Sequence, residues 1–377
     1  MQPTFQLNTN TLSWAAANIG YSLTEFAHQL YKTEQTVKDI SQGKLTVDQA
    51  KRFSAEAKVP FGFLFLESPP AEYLPDTNFV DFRTRTNHDP YSAGFKKTLR
   101  DVEHKQIWYR NYLVSNNADK LPFVGKFANE KNVASDQIAN EIREALNIEK
   151  IKARNADEYF SELTRAAEDI GILVFKNSVV INNTKDHLDA NEFDGFVITD
   201  DYAPCVFING AASKNANIFT LAHELAHIWL GESGISDSAI NSKNVSEARC
   251  NEIAARVLVP ISKFIDLWQT IEATALEKIK ILNTHFKVSE LVIARTALSL
   301  NKINYDLYNV VKLETDKAWE AFKNKAGKGG PSPIITVSTR NSKTITNKVI
   351  ELLHSNKMMP SQAAILLNKS PATVMDL

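Results

Sequence analysis

Apolar residues recur at helical spacing along most of the chain. In the first part the helical runs are short and separated by turn signals: Thr11–Asn18, Leu23–Tyr31, Glu34–Gln42 and Val47–Ala57. Ser22 and Thr46 stand where N-cap residues are expected, because their hydroxyls can accept a hydrogen bond from the first helical turn. The tight turn between the second and third runs predicts a helix-turn-helix module.

The middle of the chain changes from helical to strand-like patterning and back. Three short runs rich in β-branched and aromatic residues predict a small three-stranded sheet: Gly171–Lys176, Gly195–Thr199 and Cys205–Asn209. Longer helical runs lie on both sides: Lys96–Val114, Ser135–Leu146, Asp157–Ile170, Ile218–Leu230 and Ser246–Leu258. The tail, residues 334–377, predicts a strand and then two helices. The predicted fold class is therefore α+β and mainly helical.

Linker signals divide this pattern into five regions. Pro69-Pro70 ends the first helical module, and the Gly/Pro/Lys segment 324–333 precedes the tail. The predicted regions are a helix-turn-helix domain (1–72), a linker and helical region (73–150), a domain around the sheet (151–270), a helical region packed on it (271–323) and a helical C-terminal extension (324–377).

Composition narrows the functional classes. The chain has 377 residues, 44% hydrophobic and 23% charged, with a net charge of −1. A chain-wide basic field for non-specific nucleic-acid binding is therefore excluded. With only two cysteines, neither a disulfide framework nor an all-cysteine zinc site is expected. No signal-peptide pattern begins the sequence, and no apolar run approaches about 20 residues, so we expect a cytoplasmic protein without a membrane span.

The sharpest chemical signal is the run His223-Glu224-Leu225-Ala226-His227. Histidines four residues apart on a helix differ by only about 40° around its axis, so both imidazoles project from one face. That spacing suits two ligands of one tetrahedral zinc ion. Glu224 would lie beside the metal, where a carboxylate can accept a proton from an activated water and pass it to a leaving amine.

A hydrolytic zinc site needs a third protein ligand and an open fourth position. We predict Glu247 as that ligand, because it begins the next helical run and Asn251 follows on the same face. An amide at Asn251 can orient a ligand histidine. Carboxylate and thiol alternatives downstream stay open: Glu232, Asp237, Cys250 and Glu252. Cys205 and Cys250 are otherwise expected to be thiols of the core.

These segments resemble the ImmA/IrrE family of bacterial zinc metallopeptidases. The resemblance rests on FTLAHELAHIWLG, on the E-x-x-x-N pair with AARVLVP after it, on EFDGFVITDDYAPCVFINGAASKNANIFT upstream, and on NFVDFRT after the Pro-Pro linker. It implies a zincin-like metallopeptidase domain, one Zn²⁺ held by His223, His227 and Glu247, and Glu224 as general base. The chain departs from the family pattern at Cys250, Glu252 and Ile253, none of which removes a reacting group.

The resemblance also implies a function. Members of this family cleave a partner protein, commonly an Xre-type repressor, in stress responses, mobile-element transfer or defence. The expected substrate is therefore a repressor or a toxin encoded nearby. The alternative is an antitoxin or transcriptional regulator that binds a toxin or operator DNA and uses the zinc domain structurally or for regulation.

Two further surfaces are candidates for binding. The strand Pro204–Asn209, with Cys205, Phe207 and Asn209, is predicted to be an edge strand to which an extended substrate can add. The N-terminal region is similar to the Xre/Cro-type helix-turn-helix, and its third helix offers Gln35, Thr36 and Lys38 to a DNA groove or to a protein. Residues 1–70 carry equal numbers of basic and acidic side chains, so both partners stay open.

Overall fold

A computed structural model gives the fold of the chain. It describes residues 3–17, 19, 21–57, 59–69, 80–81, 91–130, 132–236, 244–323 and 333–377. The described part is mainly helical, with 61% helix and small sheets, which agrees with the predicted α+β class. Among the described residues, no helix is both long enough and apolar enough to cross a membrane.

The N-terminal residues form short helices around a compact apolar core. The elements are β1 (Thr4–Gln6), α1 (Thr9–Ala17), α2 (Leu23–Leu30), α3 (Glu34–Ser41), β2 (Lys44–Thr46), α4 (Val47–Ala57) and a 3₁₀ helix (Phe61–Phe65). Ser22 caps α2 in a capping box with Glu25, and Thr46 exchanges hydrogen bonds with Gln49 at the start of α4. These two cap predictions are confirmed.

The turn between α2 and α3 has an extended backbone. Its first residue, Tyr31, has φ −135° and ψ 140°, so the turn is made without a left-handed residue. Phe26 of α2 packs edge-on against Phe53 of α4, with ring centroids 4.8 Å apart. The four helices and their order agree with the sequence pattern, while their assignment as a DNA-binding module stays a prediction.

The central region carries the sheet and the longest helices. Its elements are β3 (Val80–Asp81), α5 (Ala93–Ser115), α6 (Ser135–Ala145), α7 (Ala156–Asp169), β4 (Leu173–Asn177), β5 (Val179–Val180), β6 (Asn183–His187), β7 (Gly195–Ile198), β8 (Cys205–Asn209), α8 (Lys214–Leu230), β9 (Gly234–Ser236) and α9 (Val245–Leu258). The remaining elements are α10 (Ile261–Thr270), α11 (Ala275–Phe286), α12 (Glu290–Ser299), α13 (Tyr305–Lys323), α14 (Pro333–Asn341), α15 (Lys343–His354), α16 (Pro360–Leu367) and α17 (Pro371–Met375).

The main sheet has five described strands in the order β3-β9-β7-β8-β4. β7 is antiparallel to β8 and β9, whereas β4 is parallel to β8 and β3 is parallel to β9. The three predicted strands correspond to β4, β7 and β8. The sheet therefore has two more described strands than the three that the sequence predicts. The two strands missed in this sheet, β3 and β9, are two and three residues long, too short for alternating hydrophobicity to reveal them.

The two faces of the sheet belong to different apolar clusters. Val174, Val206 and Ile208 pack on the side of α8 and α9. Their strand neighbours Phe175 and Phe207 point the other way, because side chains alternate along a strand, and pack with α5 and the C-terminal helices. Helix α8 is therefore held between the sheet and the helical layer that contains α9.

The C-terminal extension covers the second face of the sheet. The strand predicted at its start is wrong, because that segment forms α14. A short run of β-branched residues fits either a strand or a buried helix until the packing decides. Asn368 donates to Asp101 Oδ1 of α5 at 2.9 Å, and Lys105 pairs with the same carboxylate. The buried Asp101 carboxylate therefore links the C-terminal extension to α5.

Candidate metal centre

Helix α8 presents both histidines of the HExxH run from one buried face. Ser213 caps its N-terminus by accepting from the amide of Ala216. Gly231 ends it with φ +73°, a left-handed conformation in which a Cβ would also lie 3.1 Å from the Cα of Gly125. Between these ends the imidazole centroids of His223 and His227 lie 4.9 Å apart.

Three donor atoms converge between α8 and α9. His223 Nε2 and His227 Nε2 are 3.1 Å apart. Glu247 of α9 places Oε1 at 3.1 Å from His227 Nε2 and Oε2 at 3.3 Å from His223 Nε2. All three side chains are fully buried. Three buried donors that face one another form a group able to hold a metal ion.

The other ring nitrogens have acceptors that fix their orientation. His223 Nδ1 lies 2.9 Å from Asn251 Oδ1, and His227 Nδ1 lies 3.1 Å from Glu232 Oε2. Ser246 donates its hydroxyl to the same Glu232 oxygen. Because amide and carboxylate oxygens only accept, each Nδ1 can donate its proton to them, which would leave both Nε2 lone pairs for a metal ion.

Glu224 lies beside the three donors in a buried position. The side chain is fully buried, and the Ser236 hydroxyl lies near enough to act on its carboxylate as a hydrogen-bond donor. Burial raises the pKa of Glu224 to about 8, because a carboxylate is poorly solvated there. Burial of a carboxyl group costs stability, and carboxyl groups with strongly shifted pKa values are concentrated in catalytic sites.

The three converging residues have opposed pKa shifts. Burial would raise the pKa of Glu247, but its hydrogen bonds with His223 and His227 outweigh this and lower it to about 2. Burial lowers the pKa of His223. Burial would lower the pKa of His227 too, but the groups around it, first Cys250, then Glu232 and Glu247, raise it. Glu247 is therefore anionic at neutral pH, as a ligand carboxylate must be.

The alternative ligands occupy other positions. Glu252 lies on the exposed side of α9 and accepts from the Ser135 hydroxyl at 2.9 Å. Cys250 is buried, as expected for a core thiol, and its sulfur lies 3.5 Å from His227 Nδ1, on the side away from the converging donors. Cys250, Glu232 and His227 form a second group that could hold a metal ion. Asp237 lies outside the described residues.

The role of Glu232 was not apparent from the sequence, in which this residue was a candidate metal ligand. Gly231 turns the chain back on the helix, so that the Glu232 amide donates to the carbonyl of His227 at 3.0 Å. The carboxylate thereby reaches Nδ1 rather than Nε2. The signal available in the sequence was the position of Glu232 directly after a helix-ending glycine.

The predicted substrate edge strand is wrong. β8 pairs with β7 on one side and β4 on the other, so its backbone is already used on both sides. Cys205, Phe207 and Asn209 are buried in the centre of the sheet, and the Asn209 amide donates to the carbonyl of Phe193 at 3.0 Å. The edges of the described sheet are β3 and β4.

The predicted partner-binding residues of the N-terminal region lie on α3. Gln35 and Lys38 are exposed and Thr36 is half-buried. Gln35 donates to Asp39 Oδ1 on the same helix at 2.9 Å, so part of its hydrogen-bonding capacity is used within the helix. Their role in binding DNA or protein stays a prediction.

Gly195 of β7 determines the space available to Glu224. A Cβ at this position would lie 2.8 Å from Glu224 Oε1 and 2.8 Å from the backbone oxygen of Phe207. The Phe207 oxygen belongs to β8 and cannot move without disturbing the sheet. A residue without a side chain is therefore required between the sheet and the carboxylate.

We expect Gly195→Ala to destabilise the protein by about 1–3 kcal/mol, the usual cost of overpacking. Chemical denaturation compares the free energy of unfolding of the variant with that of wild type. Gly62→Ala is the matched control, since nothing lies within 4 Å of a Cβ there. Equal stability of the two variants would contradict the steric argument.

Comparison with protein families gives one match. The family model Peptidase_M78, the IrrE N-terminal-like domain, matches residues 167–298, about a third of the 377 residues. The matched segment contains α8 and α9 and supports a metallopeptidase. A search of curated proteins found no match.

Proposed function

We propose that the protein is a zinc-dependent metalloendopeptidase that cleaves one specific partner protein. The observation that carries this proposal is the fully buried carboxyl group of Glu224 beside three converging donors. A site that held a metal only for structure would have no use for such a group, because its burial costs stability. The match to a peptidase domain supports the same reaction class.

The donor set fits zinc. Two histidines and one carboxylate are a known ligand set of catalytic zinc. In a tetrahedron with bonds of about 2.0–2.1 Å, ligand atoms lie about 3.3–3.4 Å apart, and the three donor–donor distances here are 3.1, 3.1 and 3.3 Å. His223, His227 and Glu247 would hold the ion, which when bound supplies a Lewis acid for the scissile carbonyl and activates water.

Glu224 is the proposed proton carrier. Its pKa of about 8 belongs to a site without a cation, and a positive charge beside it favours the carboxylate form. The carboxylate can then accept a proton from the attacking water, and the carboxylic acid can return it to the leaving amine. Asn251 and Glu232 hold the two imidazoles by their Nδ1 atoms, so that the Nε2 atoms face the proposed metal position. Glu224 lies beside that position.

Burial of the site supports narrow specificity. His223, Glu224, His227 and Glu247 are all fully buried, so a polypeptide reaches them only if part of the protein moves. A partner whose binding drives that movement would be favoured over arbitrary chains. This agrees with the single-site cleavage implied by the resemblance, with an Xre-type repressor as the expected substrate in stress, mobile-element or defence responses.

Co-expression tests this function. The chain is produced with the repressor or toxin encoded next to it, and the partner is analysed by gel and by mass spectrometry of the new termini. We expect one cleavage product from the wild-type protein and none after the metal is removed with a chelator. An intact partner bound tightly to the metal-loaded wild-type protein would instead favour the regulator or antitoxin.

The choice of Glu247 as third ligand gives a paired prediction. We expect Glu247→Ala to lose more than about 100-fold in zinc affinity, because even partners outside the ligand set are worth 10–100-fold. Glu252→Ala should retain wild-type affinity, since its carboxylate faces Ser135 on the surface. Competition with a chelating dye measures both constants. A larger loss from Glu252→Ala would mean that the wrong carboxylate was chosen.

A further inference from the structure

The C-terminal extension ends in two short helices that repeat the pattern of α2 and α3. α2 and α16 each have eight residues, and each is followed by a three-residue turn, 31–33 and 368–370. When residue 23 is aligned with residue 360, six residues of the first unit (23–40) recur in the second unit (360–377). They are Ala27, Leu30, Lys32, Thr36, Val37 and Asp39, which correspond to Ala364, Leu367, Lys369, Thr373, Val374 and Asp376. The chain therefore carries a helix-turn-helix pattern at both places.

The two units bury the same positions. The shared apolar residues all lie in the core: Ala27, Leu30 and Val37 in the first unit, and Ala364, Leu367 and Val374 in the second. Asn368 ends α16 in a left-handed conformation with φ +53°, and the Lys369 amide donates to the carbonyl of Ala364 at 3.0 Å. The chain thereby turns sharply into α17, whose first turn is capped by Ser370.

The second unit has one packed side and one open side. Its packed side belongs to the apolar cluster that also contains residues of α5 and of the sheet. Its open side carries exposed side chains from the first turns of both helices: Ser361, Gln362, Ser370, Ala372 and Thr373. In helix-turn-helix proteins the N-terminal residues of the second helix contact base edges, while the first helix crosses the DNA backbone. The open side is therefore the one that a DNA duplex would meet.

Positive charge distinguishes the second unit from the first. Residues 333–377 have a net charge of +3, whereas residues 1–70 carry equal numbers of basic and acidic side chains. Lys348 pairs with Glu351. Lys357, just before α16, and Lys369, in the turn, have no ion-pair partner among the described residues. Their charge is therefore available to an anionic partner.

A hairpin brings two further cations to the same turn. Asn182, between β5 and β6, donates to the carbonyl of Asn368 and accepts from Arg340 of α14 at 2.9 Å. All five residues of β6 are exposed, and Lys185 is one of them. Neither cation has an ion-pair partner among the described residues. Basic side chains from three elements therefore surround the turn.

Acidic groups near the turn do not cancel this charge. Asp101 accepts from Asn368, but its charge is balanced by Lys105. Asp186 on β6 and Asp376 on α17 are exposed, where water and salt screen them. The four cations without an ion-pair partner outnumber these two carboxylates.

We propose that the second unit, with the β5–β6 hairpin beside it, binds double-stranded DNA. Lysine and arginine side chains bind phosphates, and the Ser361 hydroxyl can donate to one. The methyl groups of Ala372 and Thr373 can contact the methyl group of thymine in the major groove. This proposal goes beyond the peptidase and does not rest on it, so its test needs no partner protein.

Titration of the full chain into a labelled duplex tests the proposal. The probe is a fluorescein-labelled duplex of about 20 base pairs and mixed sequence, two turns of DNA. We expect a Kd of about 10⁻⁶–10⁻⁴ M at physiological salt, the usual range for binding that depends on phosphate contacts. Fluorescence anisotropy gives the Kd, and its dependence on salt concentration gives the number of phosphates that are neutralised.

Matched positions of the two units supply each variant and its control. Lys369→Gln should weaken binding by about tenfold at about 50 mM NaCl and lower the salt slope by about one, because one phosphate contact is lost. Lys32→Gln, at the same position of the first unit, should change neither. Ala372→Glu should weaken binding by at least about tenfold, because it places a carboxylate against phosphates, whereas Gln35→Glu should not. Thermal melts check that each variant is folded.

Three outcomes would overturn the proposal. The first is no binding of the duplex by the wild-type protein at about 50 mM NaCl, where phosphate contacts are strong. The second is unchanged binding in both variants of the second unit. The third is a larger loss from the two variants of the first unit, which would assign the DNA to the N-terminal helices instead.

A protein is the alternative occupant of the open side. Met359, Ile365 and Met375 of this region are 61%, 40% and 60% exposed, and apolar side chains also suit a protein interface. If Ala372→Glu bound the duplex as wild type does but no longer co-purified with the partner protein, the open side would belong to that partner and the DNA proposal would be wrong.

Discussion

Glu224→Gln is expected to abolish cleavage of the partner while the metal content and the fold stay intact. Glutamine keeps the shape of the side chain but cannot accept and return a proton at neutral pH. Loss of a general acid–base group costs about 10²–10⁴-fold in rate, and loss of water activation adds to this. The measurement is the rate of product formation with the co-purified partner, beside zinc content per chain.

The variant should also trap the partner. Because the substitution leaves the three proposed ligands unchanged, affinity for the intact substrate should survive, and the complex should co-purify. Cleavage by Glu224→Gln at the wild-type rate would remove the proposed mechanism. Tight partner binding by both forms, with cleavage by neither, would favour the antitoxin or regulator.

A stability measurement checks the same variant independently of activity. In the metal-free wild-type protein the pKa of Glu224 is raised from 4.5 to about 8, so the folded state binds this proton more tightly than the unfolded state. The resulting stabilisation is fully present below about pH 4.5 and is lost as the pH rises through about 8. The wild-type-minus-variant difference in unfolding free energy should fall over this range, since glutamine does not titrate.

Local parts of the fold could be predicted from the sequence, and its long-range parts could not. Helical periodicity and caps such as Ser22 act within a few residues, so most helix positions could be predicted from the sequence, although α14 was predicted as a strand. Strand order depends on residues far apart: β3, at residues 80–81, pairs with β9, at residues 234–236. Nothing local in Cys205–Asn209 shows that both of its edges are occupied.

The candidate site also has a part that could be predicted from local sequence and a part that depends on long-range packing. The spacing of His223 and His227 fixes their common face within one helix. The short distance from Glu247 to the histidines depends on how α9 packs against α8. The E-x-x-x-N spacing places Glu247 and Asn251 on one face of α9, and this made Glu247 the preferred third ligand. The role of Glu232 depends on a chain reversal after α8, and that of Gly195 depends on the closeness of β7 to the same helix, so neither role could be predicted.

Removal of either histidine is expected to empty the metal site. His223→Ala and His227→Ala each leave two of the three proposed donors, and the affinity should fall by more than about 100-fold. After dialysis against a chelator, metal analysis should give about one zinc per chain for wild type and almost none for either variant. The variants should also lose the rise in Tm that added zinc gives to wild type, since a ligand stabilises only the state that binds it.

Comparison of single variants also decides between the two groups that could hold a metal. His227 belongs to both groups, whereas His223 belongs only to the group with Glu247, and Cys250 only to the group with Glu232. Because His223 Nε2 and Glu247 Oε1 both face His227 Nε2, we expect His223→Ala to empty the site and Cys250→Ala to retain about one zinc per chain. The opposite result would place the ion at His227 Nδ1 with Cys250, away from the three converging donors, and Glu224 would then lose its proposed role.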